Sequence, residues 1–81
     1  RLEHVSSRGP EGRILELFER LSRTFATDHP DGRLLALHLT HEQIGAMTGN
    51  TRVTVTRTLA RLREQGRIDM VDGRHLLRRS P

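Results

Sequence analysis

The feature that most constrains this sequence is a pair of helix start signals set almost back to back. Thr40-His41-Glu42-Gln43 reads as a capping box, in which the Thr40 hydroxyl accepts from the Gln43 backbone N–H and the Gln43 side chain accepts from the Thr40 N–H. The helix it opens is expected to carry Ile44 and Met47 inward. It stops at Gly49, which takes the left-handed backbone of a helix C-terminus without the clash a side chain would bring. Thr51 then caps a second helix after only about three residues. Helix, tight turn, helix is the expected unit.

The second helix, expected over about 52–65, has two chemically different faces. Val55, Leu59 and Leu62 recur at helical spacing and form the stripe to be buried. Arg52, Val53, Thr56, Arg57 and Ala60 gather on the opposite side near the N-terminal end, on a face that holds no acid. Gln65-Gly66 closes the helix, and Ile68 to Val71, Asp72-Gly73, then Arg74 to Arg78 reads as a β-hairpin with an Asp-Gly turn. A hairpin after a helix-turn-helix is a wing.

Upstream, Gly9-Pro10-Glu11 puts Pro at a first helical position with an acid beside it. Ile14, Leu17, Phe18, Leu21 and Phe25 then follow the helical period, which predicts a helix over 10–26. Asp28-His29-Pro30-Asp31-Gly32 is expected to be a turn, and 33–39 a short strand with Leu35, Leu37 and Leu39 on one face; its Leu content also suits a helix, and length and the bounding turn signals favour the strand. Residues 1–8 are polar and without period, as a hinge or linker would be, and 9–81 form one domain. The expected class is mainly α with a small β part, a winged helix-turn-helix.

Charge narrows the function classes. The chain has 81 residues and a net charge of +4, and all of its 14 basic residues are Arg. Residues 1–39 balance to zero, whereas 40–81 hold eight Arg against four acids and carry the whole excess. A one-sided positive field suits a polyanion partner. With Phe18 and Phe25 as the only aromatics, the stacking platforms that single-strand binders use are missing, so a duplex is favoured. There is no Cys, which excludes disulfide scaffolds and thiol chemistry. His38 and His41 with Glu42 lack the HExxH spacing of a metal site, and no nucleophile triad or phosphate loop is present, so no catalytic residue, metal or cofactor is expected in this domain.

At the residue level, the planar forks of Arg52 and Arg57 match guanine O6 and N7, and Val53 can meet a thymine methyl. Thr51 and Thr54 can bond phosphate at the helix N-terminus. Base reading is expected from Arg52, Val53, Thr56 and Arg57, and phosphate binding from Thr40, Thr51 and Thr54.

The run from Asp31 to Leu77 resembles the C-terminal winged helix-turn-helix of the cyclic-AMP receptor protein and FNR superfamily of bacterial transcription regulators. The resemblance rests on three pieces: the strand leading into L-T-x-x-x-I-G, the segment Gly49-Asn50-Thr51-Arg52-Val53-Thr54-Val55-Thr56-Arg57, and the L-x-x-L-x-x-x-G-x-I exit. The string TRVTVTR is similar to the nitrogen-control branch. The resemblance implies that Arg52 and Arg57 occupy the positions of guanine-reading arginines and Thr51 and Thr54 those of phosphate-binding residues. Val53 departs from the receptor-protein pattern, where a Glu reads cytosine, and Glu42 stands where many relatives carry a phosphate-binding Gln. The wing turn is about one residue longer than in the receptor protein, which makes Arg74 and His75 approximate phosphate contacts.

The same resemblance implies a β-roll effector domain and a dimerisation helix upstream. This chain, which opens on Arg1, is then one DNA-binding module of a cytoplasmic homodimeric regulator at a palindromic promoter site, with RNA polymerase as a candidate further partner and no membrane contact. The effector of the upstream domain is unknown. A winged helix that binds protein or RNA is the other reading the fold allows. Against it stands the exposed face of the second helix, which offers Arg, Thr and one Val where a protein-binding helix needs apolar anchors.

Overall fold

The computed structural model describes residues 9–79, so the linker expected over 1–8 lies outside the described residues. Helix α1 (Pro10–Ser22) starts as expected, with Gly9 as N-cap and Glu11 at the positive end of the helix dipole. Its stripe of Ile14, Leu17 and Phe18 is buried. The helix ends a full turn short of residue 26. The Phe25 N–H still reaches the Leu21 carbonyl at 2.8 Å, but the Phe25 carbonyl accepts from Ala36 N–H at 2.6 Å, and that bond begins a sheet. Phe25, expected on the buried stripe, is consequently 44% exposed.

Strand β1 (Ala26–His29) occupies residues expected to end the helix and form the turn. It pairs antiparallel with β2 (Gly32–Leu35), His29 opposite Gly32, so the turn shrinks to Pro30-Asp31. β2 is shorter than the expected 33–39. After Leu35 enters the core the chain leaves the sheet, and Leu39 packs against that core from a non-strand segment.

Helix α2 (His41–Thr48) has both halves of its capping box: Thr40 Oγ1 accepts from Gln43 N–H at 3.0 Å and Gln43 Oε1 accepts from Thr40 N–H at 2.9 Å. It ends at Gly49 in the left-handed region, φ 75°. Ile44 and Gly45 are its buried residues. Gly45 lets the next segment come close, since a Cβ there would strike the Asn50 carbonyl oxygen. Because the inward stripe runs through His41, Ile44, Gly45 and Thr48, Met47 lies to one side of it and is 50% exposed, not buried as expected.

Helix α3 (Arg52–Glu64) buries Val55, Thr58, Leu59 and Leu62. Strands β3 (Ile68–Val71) and β4 (Arg74–Arg78) follow with the expected bounds, joined by Asp72 (φ 52°) and Gly73 (φ 76°). Two consecutive left-handed residues are what a tight hairpin turn of this twist requires. The four strands form one antiparallel sheet in the order β1-β2-β4-β3, in which β4 lies between the two others it pairs with. The core joins Ile14, Leu17 and Phe18 of α1 to Leu35, Ile44, Val55, Leu59, Leu62 and Ile68. Three helices against a small sheet bear out the expected winged helix-turn-helix, with β1 enlarging its β part.

Candidate nucleic-acid interface

The sequence places a cap, two arginines and a short apolar side chain at the start of α3, and the fold leaves that end uncovered. Thr51, in extended backbone, accepts the Thr54 N–H at 3.1 Å and donates its own proton to Thr54 Oγ1 at 3.0 Å. The cap thus consumes the Thr51 hydroxyl proton and leaves the Thr54 proton to give outward. Thr40 is similar to Thr54 in this respect: its oxygen serves the capping box while its proton is not used by that box.

Arg52, Val53, Thr56 and Arg57 are all exposed and share one side of α3. The first turn of the helix holds no acid. Among the described residues neither Arg52 nor Arg57 has a carboxylate within ion-pair distance, in contrast to Arg61, whose Nη1 lies 3.2 Å from Glu11 on α1. The helix is therefore tied to the protein at its C-terminal half and presents free guanidinium groups at its N-terminal half, where the helix dipole adds positive potential. Such an end can receive an anion or the acceptor edge of a base. Val53, 53% exposed, adds an apolar contact to the same surface.

The wing does not supply both of its expected contacts. His75 is buried, 2% exposed, with its ring 5.0 Å from that of Phe18 and Nε2 3.4 Å from the Leu39 carbonyl oxygen. It cannot meet a phosphate. The cause is the register of β4: His75 alternates with Leu77, which pairs with the core residue Ile68 and packs against the core, so the His75 side chain points to that same inner face. Burial pushes the imidazole below its ordinary value of 6.5, with the Leu39 bond opposing and the positive charge of His41 and Arg63 adding to the shift. Arg74, beside the turn, is half-buried and its Nε has no partner.

Sequence reasoning passed over two features. His41 Nδ1 lies 2.8 Å from Thr56 Oγ1, which joins the first residue of α2 to α3. Only the tertiary arrangement of the two helices brings them together. Gly45 had a readable signal, because a glycine inside a helix, unfavourable by about 1 kcal/mol against alanine, asks for a packing reason.

Residues 12–80 match the family model of the Crp-like helix-turn-helix domain. Among curated proteins, the chain is 40% identical over 63 residues to the global nitrogen regulator of Synechococcus elongatus, covering 78% of this chain and 28% of that protein. It is 38% identical over 69 residues to the global nitrogen regulator of Synechocystis sp., covering 85% of this chain and 31% of that one. The chain thus spans about a third of the length of these relatives or less. Among solved structures, a transcriptional regulator of the CRP/FNR family from Thermus thermophilus superposes with a TM-score of 0.74 at 25% identity, covering 94% of this chain and 39% of that one. The CO-dependent transcription factor CooA from Carboxydothermus hydrogenoformans gives 0.74 at 27% identity, covering 95% and 35%.

Proposed function

Because this chain belongs to the Crp-like helix-turn-helix domain family, we propose that it is the duplex-DNA-binding module of a transcription regulator and that α3 lies in the major groove. The observation that carries the reading is the exposed, acid-free N-terminal face of α3, with Arg52 and Arg57 unpaired among the described residues at the positive end of the helix. Groove-bound helices work through this end, whose side chains reach base edges while neighbouring donors hold phosphates. Arg52 and Arg57 take guanine acceptors, Val53 meets a thymine methyl, and Thr56 completes the base-facing set. Thr40, Thr54 and Arg74 bind phosphate, and Thr51 orients Thr54 for that contact.

The regulator as a whole acts as a homodimer on a palindromic site, each copy contributing one α3 to a half-site. It works in the cytoplasm, carries out no catalysis in this domain, and has RNA polymerase as its further partner. The names and titles of the relatives, global nitrogen regulator and CRP/FNR transcriptional regulator, support this direction.

Titrating the 81-residue chain against labelled duplex DNA across salt concentrations tests the reading. Affinity should fall linearly on a log–log plot as salt rises, with a slope set by the number of phosphates neutralised, and should exceed that for the same sequence as a single strand. Salt-independent binding, or equal binding to single strands, would refute it.

A further inference from the structure

Thr56 stands one helical turn after Arg52 on the exposed side of α3. Its Oγ1 lies 3.0 Å from the Arg52 carbonyl oxygen and 2.8 Å from His41 Nδ1. A threonine hydroxyl owns one proton and two lone pairs. When Nδ1 is protonated, the hydroxyl donates to Arg52 and accepts from His41. When Nδ1 is bare, the hydroxyl donates to His41 instead. In both tautomers the single proton of Thr56 is held inside the protein.

Resting on the reading of α3 as the groove helix, we infer that His41 is a positioning residue for base recognition. It fixes Thr56 so that a base meets a methyl group and a hydrogen-bond acceptor, never a donor. Threonine in a helix divides between two side-chain rotamers because its oxygen can bond back to a carbonyl one turn earlier. The bond from the first residue of α2 selects one of them and braces the first turn of α3. Because Nδ1 also carries a proton in the imidazolium form, the arrangement persists on protonation of His41.

The consequence is a selectivity by exclusion. Guanine offers the major groove two acceptors, N7 and O6, which a lone pair of Thr56 repels. Adenine and cytosine offer an exocyclic amino group that Thr56 can accept, and thymine offers a methyl. The base facing Thr56 is therefore adenine, cytosine or thymine, and guanine is rejected there although the neighbouring arginines demand it.

Selection of bound sites from random duplexes, with this chain and four variants, separates the alternatives. The wild-type motif should contain guanines that Arg52→Ala or Arg57→Ala removes, and one further position depleted of guanine. His41→Ala frees Thr56 to rotate and donate, so guanine should rise severalfold at that one position while the arginine-dependent guanines stay. His41→Asn, which restores an N–H near the place of Nδ1–H, should return the depletion. A wild-type chain that selects no motif, or a motif untouched by loss of both arginines, overturns the groove reading and this inference with it. A motif that keeps its arginine-dependent guanines but is identical at every position in His41→Ala overturns the inference alone, as does a uniform loss of binding that His41→Asn fails to rescue.

Discussion

The rings of His75 and Phe18 pack 5.0 Å apart at an angle of 33°, so an ionisable side chain lies against the aromatic centre of the core. Nε2 of that ring reaches Leu39, while Nδ1 is buried without a partner. An imidazole so placed is neutral in the folded protein, and burial holds its pKa below the ordinary 6.5. The unfolded chain binds a proton there more readily, so stability is fully present above about pH 6.5 and is lost progressively as pH falls below it, until the folded ring itself is protonated. Urea midpoints measured between pH 5 and 8 should show this decline, and His75→Phe should flatten it. An unchanged slope in that variant would assign the decline to other groups.

Gly45→Ala should destabilise the domain. In an open helix interior the exchange would gain about 1 kcal/mol, but here the added methyl meets the Asn50 carbonyl oxygen. Displacing the α2–α3 turn to make room costs roughly 1–3 kcal/mol. Denaturant melts would read the sign directly, with a stabilised variant contradicting the close approach.

Thr51 separates capping from recognition. Thr51→Ala removes the cap on α3 and should cost about 1 kcal/mol, whereas Thr51→Asp caps equally well. The aspartate nevertheless sets a negative charge where phosphates are proposed to lie. Melting of Thr51→Asp should therefore resemble wild type while its duplex affinity drops by roughly tenfold or more. Retained affinity would place the phosphates elsewhere.

The basic residues should divide by role. Arg52→Ala or Arg57→Ala should cost about 1–3 kcal/mol at a guanine-containing site and little at random sequence, while Arg74→Ala should weaken all duplexes alike and flatten the salt slope by about one. Parallel titrations of specific and non-specific duplexes check the division, and equal losses from all three would reject it.

Val53 supplies no hydrogen-bond acceptor and is open to the groove face. It should favour a thymine methyl at its base pair, and Val53→Glu should convert that preference to cytosine through the exocyclic amino group. Site selection with the two proteins would reveal the switch, and identical preferences would remove Val53 from the base-reading set.

The parts legible in the sequence are those settled by contacts within a few residues. Thr40, Gln43, Gly49 and Thr51 punctuate the two helices through bonds to their own near neighbours, and Asp72-Gly73 sets its hairpin in the same way. Arg52, Val53, Thr56 and Arg57 were readable as one exposed side because helical periodicity alone gathers them. What escaped depends on distant partners. Ala26–His29 becomes a strand because β2 is there to pair with it, against the helical period that runs through Phe25. His75 turns inward because it shares the core face of β4 with Leu77, and which face that is depends on the pairing of Leu77 with Ile68 in the core. The His41 bond to Thr56 spans two helices and has no local signature.

The order β1-β2-β4-β3 also bears on how the domain comes into being. β4, one of the two interior strands of the sheet, is the last of the four along the chain, and Arg78 and Arg79 tie back through their N–H groups to Arg67 and Asp31. Until β4 has left the ribosome, β1 and β2 form only a two-stranded ribbon, which is marginal in water by itself. The core face of β2 then lacks its neighbour, and closure between β2 and β4 has to bridge the whole helix-turn-helix. Assembly of this domain therefore waits on its final strand: the helices can form as they emerge during translation, but the native sheet is completed only once residue 78 is free to insert.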